Sequence, residues 1–161
     1  MNIIRAPQLL VLATLLVVAR RTEAQQIAYA ADLGAEMDSV SRASITREIT
    51  LARDRGLPVE ALVAKVREGR LKRANGVRIH VAVAALARRL DSARAGLGPN
   101  STAEELAAGA DAIAVGGDVS SLRTLRAATT RSVAAPAGTF AQLLASGVEK
   151  ARALTMVVGL L

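Results

Sequence analysis

Apolar residues recur along this chain every three to four positions, and the recurrences stop at glycines. Ile45, Ile49 and Ala52 fall at i, i+4 and i+7, one stripe of a helix that opens near Ser39 and stops at Arg55-Gly56. Leu57-Pro58-Val59-Glu60 restarts the chain. Pro58 is expected at the first helical position, where its missing N–H costs nothing, and Glu60 in the first turn suits the positive end of the helix dipole. Val59, Leu62, Val63 and Val66 make the next stripe, which Asn75-Gly76 is expected to end. Ile79, Ala82, Val83, Leu86 and Leu90 form the third and cleanest stripe. Gly96-Leu97-Gly98-Pro99-Asn100 cannot continue it, having two Gly and a Pro close together.

Beyond that loop the pattern resumes. Ser101-x-x-Glu104 and Thr102-x-x-Glu105 both fit the capping box, in which the two side chains each satisfy an orphan N–H of the other's backbone. The helix they open runs to Val115 and is broken by Gly116-Gly117. Asp118 can cap a short helix carrying Val119, Leu122, Leu125 and Arg126. Residues 129–137 then read as a connector. Phe140, Leu143 and Leu144 belong to a helix that pauses at Ser146-Gly147, and a last helix carries Ala151, Leu154, Val157, Val158 and Leu161. No stretch between turn signals alternates apolar and polar over strand length. The expected fold is all-α: alanine-rich helical hairpins packed as an irregular bundle or a short solenoid. A glycine followed by a helix start recurs at Gly56, Gly76, Gly117 and Gly147, too unevenly for a fixed-period repeat.

The first residues follow a different plan. Met1 to Arg5 carries one positive charge, Leu9 to Ala19 is an apolar run of 11, and a polar stretch ends at the small residue Ala24. That order predicts a secretory signal peptide over 1–24, cleaved after Ala24 or alternatively after Ala19. A run of 11 is too short to span the ~30 Å hydrocarbon core as a helix. The expectation is an exported chain, periplasmic or extracellular, with no transmembrane helix in its mature part. Residues 25–38 form a lead-in, and 39–161 a single helical domain.

Composition narrows the chemistry. Alanine supplies 34 of the 161 residues, whereas the chain has one Tyr, one Phe and no Trp. A helical core must then be filled by Leu, Val, Ile and Ala, the last of which lets helix axes approach closely. The absence of Cys excludes disulfides, thiolate zinc sites and a Cys nucleophile. Two aromatics cannot make a base-stacking platform, so nucleic acid is disfavoured as a partner. The formal charge of +7 falls to +5 without residues 1–24 and is unevenly placed: residues 25–38 carry −3, residues 39–96 carry +8, and residues 97–161 balance at zero.

Single residues offer little catalysis. His80 is the only histidine and reads as a boundary residue beside an apolar stripe, with a general base or metal ligand as the alternative. Glu104 and Glu105 are adjacent, so they point about 100° apart on a helix and suit capping better than a shared site. Glu104 and Asp111 lie two turns apart on one side, and such a pair could flank a scissile bond or sit on a solvated face. Gly109 and Gly116-Gly117 lack the Lys of a phosphate-binding loop and read as helix punctuation. Asn100-Ser101-Thr102 matches a glycosylation sequon, but the same residues are accounted for by a loop feeding a cap. No metal or cofactor is expected.

The basic half 39–96 is the one feature above this background. Lys65, Arg67, Arg70, Lys72 and Arg73 crowd one predicted helix; Arg78, Arg88, Arg89 and Arg94 continue along the next. On a helical wheel Lys65 and Lys72 coincide, Arg67 lies elsewhere, and Arg70 and Arg73 fall within the apolar arc, so the charge spreads around the helix. A solvated surface and a contact for an anionic partner both fit. The expected contact residues are Lys65, Arg67, Arg70, Lys72, Arg73, Arg78, Arg88 and Arg89.

The string Ala52-Arg53-Asp54-Arg55-Gly56-Leu57-Pro58-Val59-Glu60-Ala61-Leu62-Val63-Ala64-Lys65, followed by Glu68-Gly69, resembles a segment that recurs in uncharacterised exported bacterial proteins, where a GLPVE-type turn also joins two helices. The likeness covers 45–161, with 52–69 its specific part. It implies an all-helical exported protein and carries no activity or catalytic residue with it. The leading functional expectation is a non-catalytic protein that binds or scaffolds in the cell envelope or exterior, its partner another envelope protein or an anionic polymer. The alternatives are a binder of anionic polymer or lipid headgroups through helices 60–94, and a carboxylate-dependent hydrolase.

Overall fold

A computed structural model describes residues 37–161, so the leader expected at 1–24 and nearly all of the lead-in lie outside the described residues. Among the described residues the chain is all-α, with seven helices: α1 Ser39–Asp54, α2 Val59–Leu71, α3 Gly76–Leu97, α4 Ala103–Ala114, α5 Val119–Ala128, α6 Ala134–Ala145 and α7 Lys150–Val158.

Four of the six connections share one design. At each, the chain steps into the left-handed region for one residue, adds a second residue, and then places the N-cap of the next helix. The left-handed residues are Gly56, Arg73, Gly116 and Gly147, with φ of 69°, 52°, 106° and 83°. The residue after each donates its N–H five positions back, closing a Schellman motif: Leu57 to Ala52 O, Ala74 to Gly69 O, Gly117 to Ala112 O and Val148 to Leu143 O, at 2.8–3.0 Å. Pro58, Asn75, Asp118 and Glu149 then stand as N-caps. The Asn75 and Asp118 carboxamide and carboxylate oxygens take the N–H three residues on, at 2.9 and 2.8 Å.

Two expectations move by a few residues here. Pro58 is the cap of α2 and Val59 its first helical residue. Asn75-Gly76 does not end α2: that helix stops at Leu71, Arg73 makes the turn, and Asn75-Gly76 begins α3. Glycine at 76 answers to space, since a Cβ there would lie 2.5 Å from the Ser41 Cβ of α1.

That contact also fixes the topology. Gly76 at the start of α3 meets Ser41 near the start of α1, whereas Arg55 at the end of α1 bonds Asp91 far along α3. Arg94 of α3 donates to the Arg55 carbonyl at the same end. Thus α1 and α3 run parallel. Helix α2 returns between their ends, its Gly69 meeting Ile79 in the first turns of α3. The stripes read from the sequence are the buried faces: Ile45, Ile49 and Ala52 on α1, Val59, Leu62, Val63 and Val66 on α2, and Ile79, Val83 and Leu90 on α3. Ala82 and Leu86 are half-buried.

The later part of α3 carries the remaining helices. Gly109 of α4 sits against Ala93 and Leu97, and Gly96 against Leu122 of α5. Ala87, Ala93, Ala110 and Ala112 are buried with them, as the alanine content predicts. Helix α4 packs most extensively on α6, and α7 lies against α6 and α5. Phe140 of α6 is fully buried. Helix α6 opens at Ala134, so the connector is shorter than the 129–137 expected, with Pro136 inside the first turn. The result is an irregular bundle around α3, with α1 and α2 on one side of it, α4 and α5 on its later part, and α6 and α7 held through α4 and α5.

Candidate functional site

The basic residues of α2 and α3 come together at the corner where the two helices join. Lys65, Glu68, Gly69 and Lys72 from α2, Arg73, Ala74 and Asn75 from the turn, and Arg78, Ile79 and Ala82 from α3 line a groove of about 590 Å³. Four cations against one carboxylate leave it a net charge of +3.

Each cation has a local reason for being there. Lys65 and Lys72 are seven apart, two turns along one side of α2, with Glu68 between them. Both ammoniums reach the Glu68 carboxylate, at 2.5 Å each. Those hydrogen bonds, from Lys65 and then Lys72, hold the Glu68 carboxyl down at about 2, so it remains an anion at any ordinary pH. Arg78 follows Asn75 by three, the residue whose N–H the cap accepts, and projects on the groove side of α3. Arg73 is the left-handed residue of the turn, so its side chain leaves the helical wheel altogether. The wheel placed it in the apolar arc of a helix that had already stopped.

Arg73 is also the exception among the four equivalent corners, the other three of which use glycine. An L-residue in that conformation costs about 1 kcal/mol relative to glycine. The strain falls on an exposed cation facing the groove, which is where backbone strain coincides with function most often.

The other expected contact residues divide. Arg67 and Arg70 lie on the far side of α2 and do not line the groove. Arg89 shares the Arg78–Ala82 side of α3, three turns along; its Nε is buried without a hydrogen-bond partner among the described residues. Arg88 is exposed on the outward side of α3.

The remaining chemistry does not converge. His80 is half-buried on the side of α3 that meets α1, away from Arg78. Glu104 and Asp111 are both exposed on α4. Helix α4 packs near Ala93, thirteen residues or about 20 Å along α3 from His80. Among the described residues no three of His, Cys, Asp and Glu cluster as metal ligands would.

Glu105 has a role that the capping box only half reveals. Thr102 takes its N–H at 3.2 Å and its own Oε2 accepts from Thr102 N at 2.9 Å, so the 102/105 box forms. Its other oxygen, Oε1, accepts from Val133 N at 3.0 Å and from Arg126 Nη1 at 3.2 Å. Arg126 in turn donates to the carbonyls of Thr129, at 2.7 Å, and Arg131. Burial by itself would raise the Glu105 carboxyl; the N–H groups of Val133 and Thr102 and the Arg126 guanidinium outweigh it and hold the group below its ordinary value. This cluster ties α4, the end of α5 and the start of α6, and is structural.

No family model, no curated protein and no solved structure matches the chain, so what the groove does must come from its own geometry.

Proposed function

We propose that this is a non-catalytic binding protein that holds an anionic ligand, a polymer or headgroup bearing phosphate or carboxylate, in the α2–α3 groove. In keeping with the leader pattern over 1–24, it would do so in the cell envelope or exterior. One observation carries the reading: Lys65, Lys72, Arg73 and Arg78 converge on one groove from two helices and a turn, and the turn accepts a strained arginine to supply one of them. Arg73 and Arg78 are the ligand's first contacts, because Lys65 and Lys72 already share Glu68.

The test is titration of inorganic polyphosphate into the protein across a salt series. Binding should weaken steeply as salt rises, and Arg73→Gly and Arg78→Ala should each cost roughly three- to tenfold in affinity. Arg67→Ala, on the far side of α2, should change it little. Salt-insensitive binding, or equal losses for all three variants, would end the proposal.

A further inference from the structure

The corner that carries the groove also exposes large apolar side chains. Val77 and Val81 in the first turns of α3 are 64% and 59% exposed, whereas Leu71, 86% exposed, lies with Arg67 on the far side of α2. Val77, Val81 and Arg88 fall within about 40° of one another on the outward side of α3, opposite the buried Ile79–Val83–Leu90 stripe. Helix α3 is therefore amphipathic twice over, with one stripe in the core and a second, apolar and basic, facing out. Around that stripe the next side of the helix carries Arg78 and Arg89. Val40, 74% exposed in the first turn of α1, lies at the same end, where Ser41 meets Gly76. Among the described residues the acids at this end are already committed, Glu68 to its two lysines and Asp38 to the Ser41 N–H.

We infer that the partner of this corner is the surface of an anionic lipid bilayer, with Val77 and Val81 entering the headgroup boundary while Arg73, Arg78 and Arg88 face the lipid phosphates. This deepens the proposed function and rests on it. Charge complementarity and exposed apolar side chains on one outward stripe are the two halves of an interfacial site: the apolar part adds burial and the cations add attraction to anionic lipid. A soluble polymer would use the groove and leave Val77 and Val81 in water. A bilayer uses both.

Because the full chain has no cysteine, Val77→Cys gives one labelling site for an environment-sensitive dye, and Thr124→Cys on α5 gives a control. Phosphatidylcholine vesicles with phosphatidylglycerol should shift the position-77 dye to the blue and expose it to lipid-borne quenchers, reversibly with salt, and leave position 124 unchanged. In the unlabelled protein, the uncharged pair Val77→Gln with Val81→Gln should keep polyphosphate binding within about twofold and lower vesicle partitioning roughly tenfold or more. Each of Arg73 and Arg78 removed should lower it roughly fivefold.

Polyphosphate binding with no change at position 77 would overturn the lipid inference and leave the proposed function standing. Loss of both would remove both. An equal response on vesicles without phosphatidylglycerol overturns it too, since the cations would then play no part. So does a position-77 dye already shielded before vesicles are added, which would place a second copy or the acidic stretch 25–36 on the corner.

Discussion

The carboxylate of Glu105 and the guanidinium of Arg126 meet across 21 positions of chain, at 3.2 Å, with the Glu105 side chain 6% exposed and that of Arg126 29% exposed. A buried anion with several donors is costly to disturb, because removing one partner leaves the others unsatisfied. Glu105→Ala should destabilise the fold by about 2–4 kcal/mol in urea unfolding. Arg126→Ala should cost less, and the double variant less than the sum of the two. Additivity would show that the pair does not act as a unit.

The same group sets a sign for pH. Glu105 and Glu68 ionise more readily in the folded chain than their ordinary value of 4.5, with Glu68 held at about 2. The unfolded chain therefore takes up protons first. Their contribution to stability is present above about pH 4.5 and is lost as pH falls toward 2. The urea midpoint should hold steady from neutral pH down to about 5 and decline below it, less steeply in Glu105→Gln. A midpoint that rises on acidification would contradict this.

Much of the bundle could be read from the residues, and the exceptions have physical causes. The stripes on α1, α2 and α3 were legible because Ile, Leu and Val at helical spacing have only one face to bury. The start of α6 was not, since Ala134-Ala135-Pro136-Ala137 carries no period and the donor that fixes it, Val133 N–H, is satisfied by Glu105 from 28 positions away. For the groove, the wheel paired Lys65 with Lys72. It misplaced Arg73, because nothing local announces that an arginine will take the left-handed position at which the other corners use glycine.

Arg73 offers a separable prediction about stability and binding. Arg73→Gly relieves the left-handed strain and should raise stability by about 0.5–1 kcal/mol, read by thermal or urea unfolding, in the same protein that binds polyanion less well. A destabilised variant would mean that the side chain is held by contacts and not kept for the groove.

Glu68 competes with any ligand for Lys65 and Lys72. Glu68→Gln should free both ammoniums and tighten polyphosphate binding roughly three- to tenfold at low salt, an advantage that disappears as salt rises. Unchanged affinity would place the ligand away from α2.

Two glycines should respond in opposite directions to the same substitution. A Cβ on Gly96 would lie 2.8 Å from the Leu122 Cβ and 2.9 Å from the Val119 carbonyl, which is backbone and cannot swing aside. Gly96→Ala should cost about 1–3 kcal/mol. Gly138, inside α6, faces open space, and Gly138→Ala should add about 0.5–1 kcal/mol through helix propensity. Equal effects in calorimetric melting would refute the close approach of α3 and α5.

Helix α3 closes the account of the molecule as a party wall. Sever the chain after Leu97 and Ala93, Gly96 and Leu97 are left with nothing against them; sever it before Gly76 and Ile79, Val83 and Leu90 lose the cover of α1 and α2. Neither fragment inherits a finished interior. Amide exchange in α1 and in α5 should accordingly report the same opening event, and a growing polypeptide reaches its mature shape only once both sides of that wall have been made.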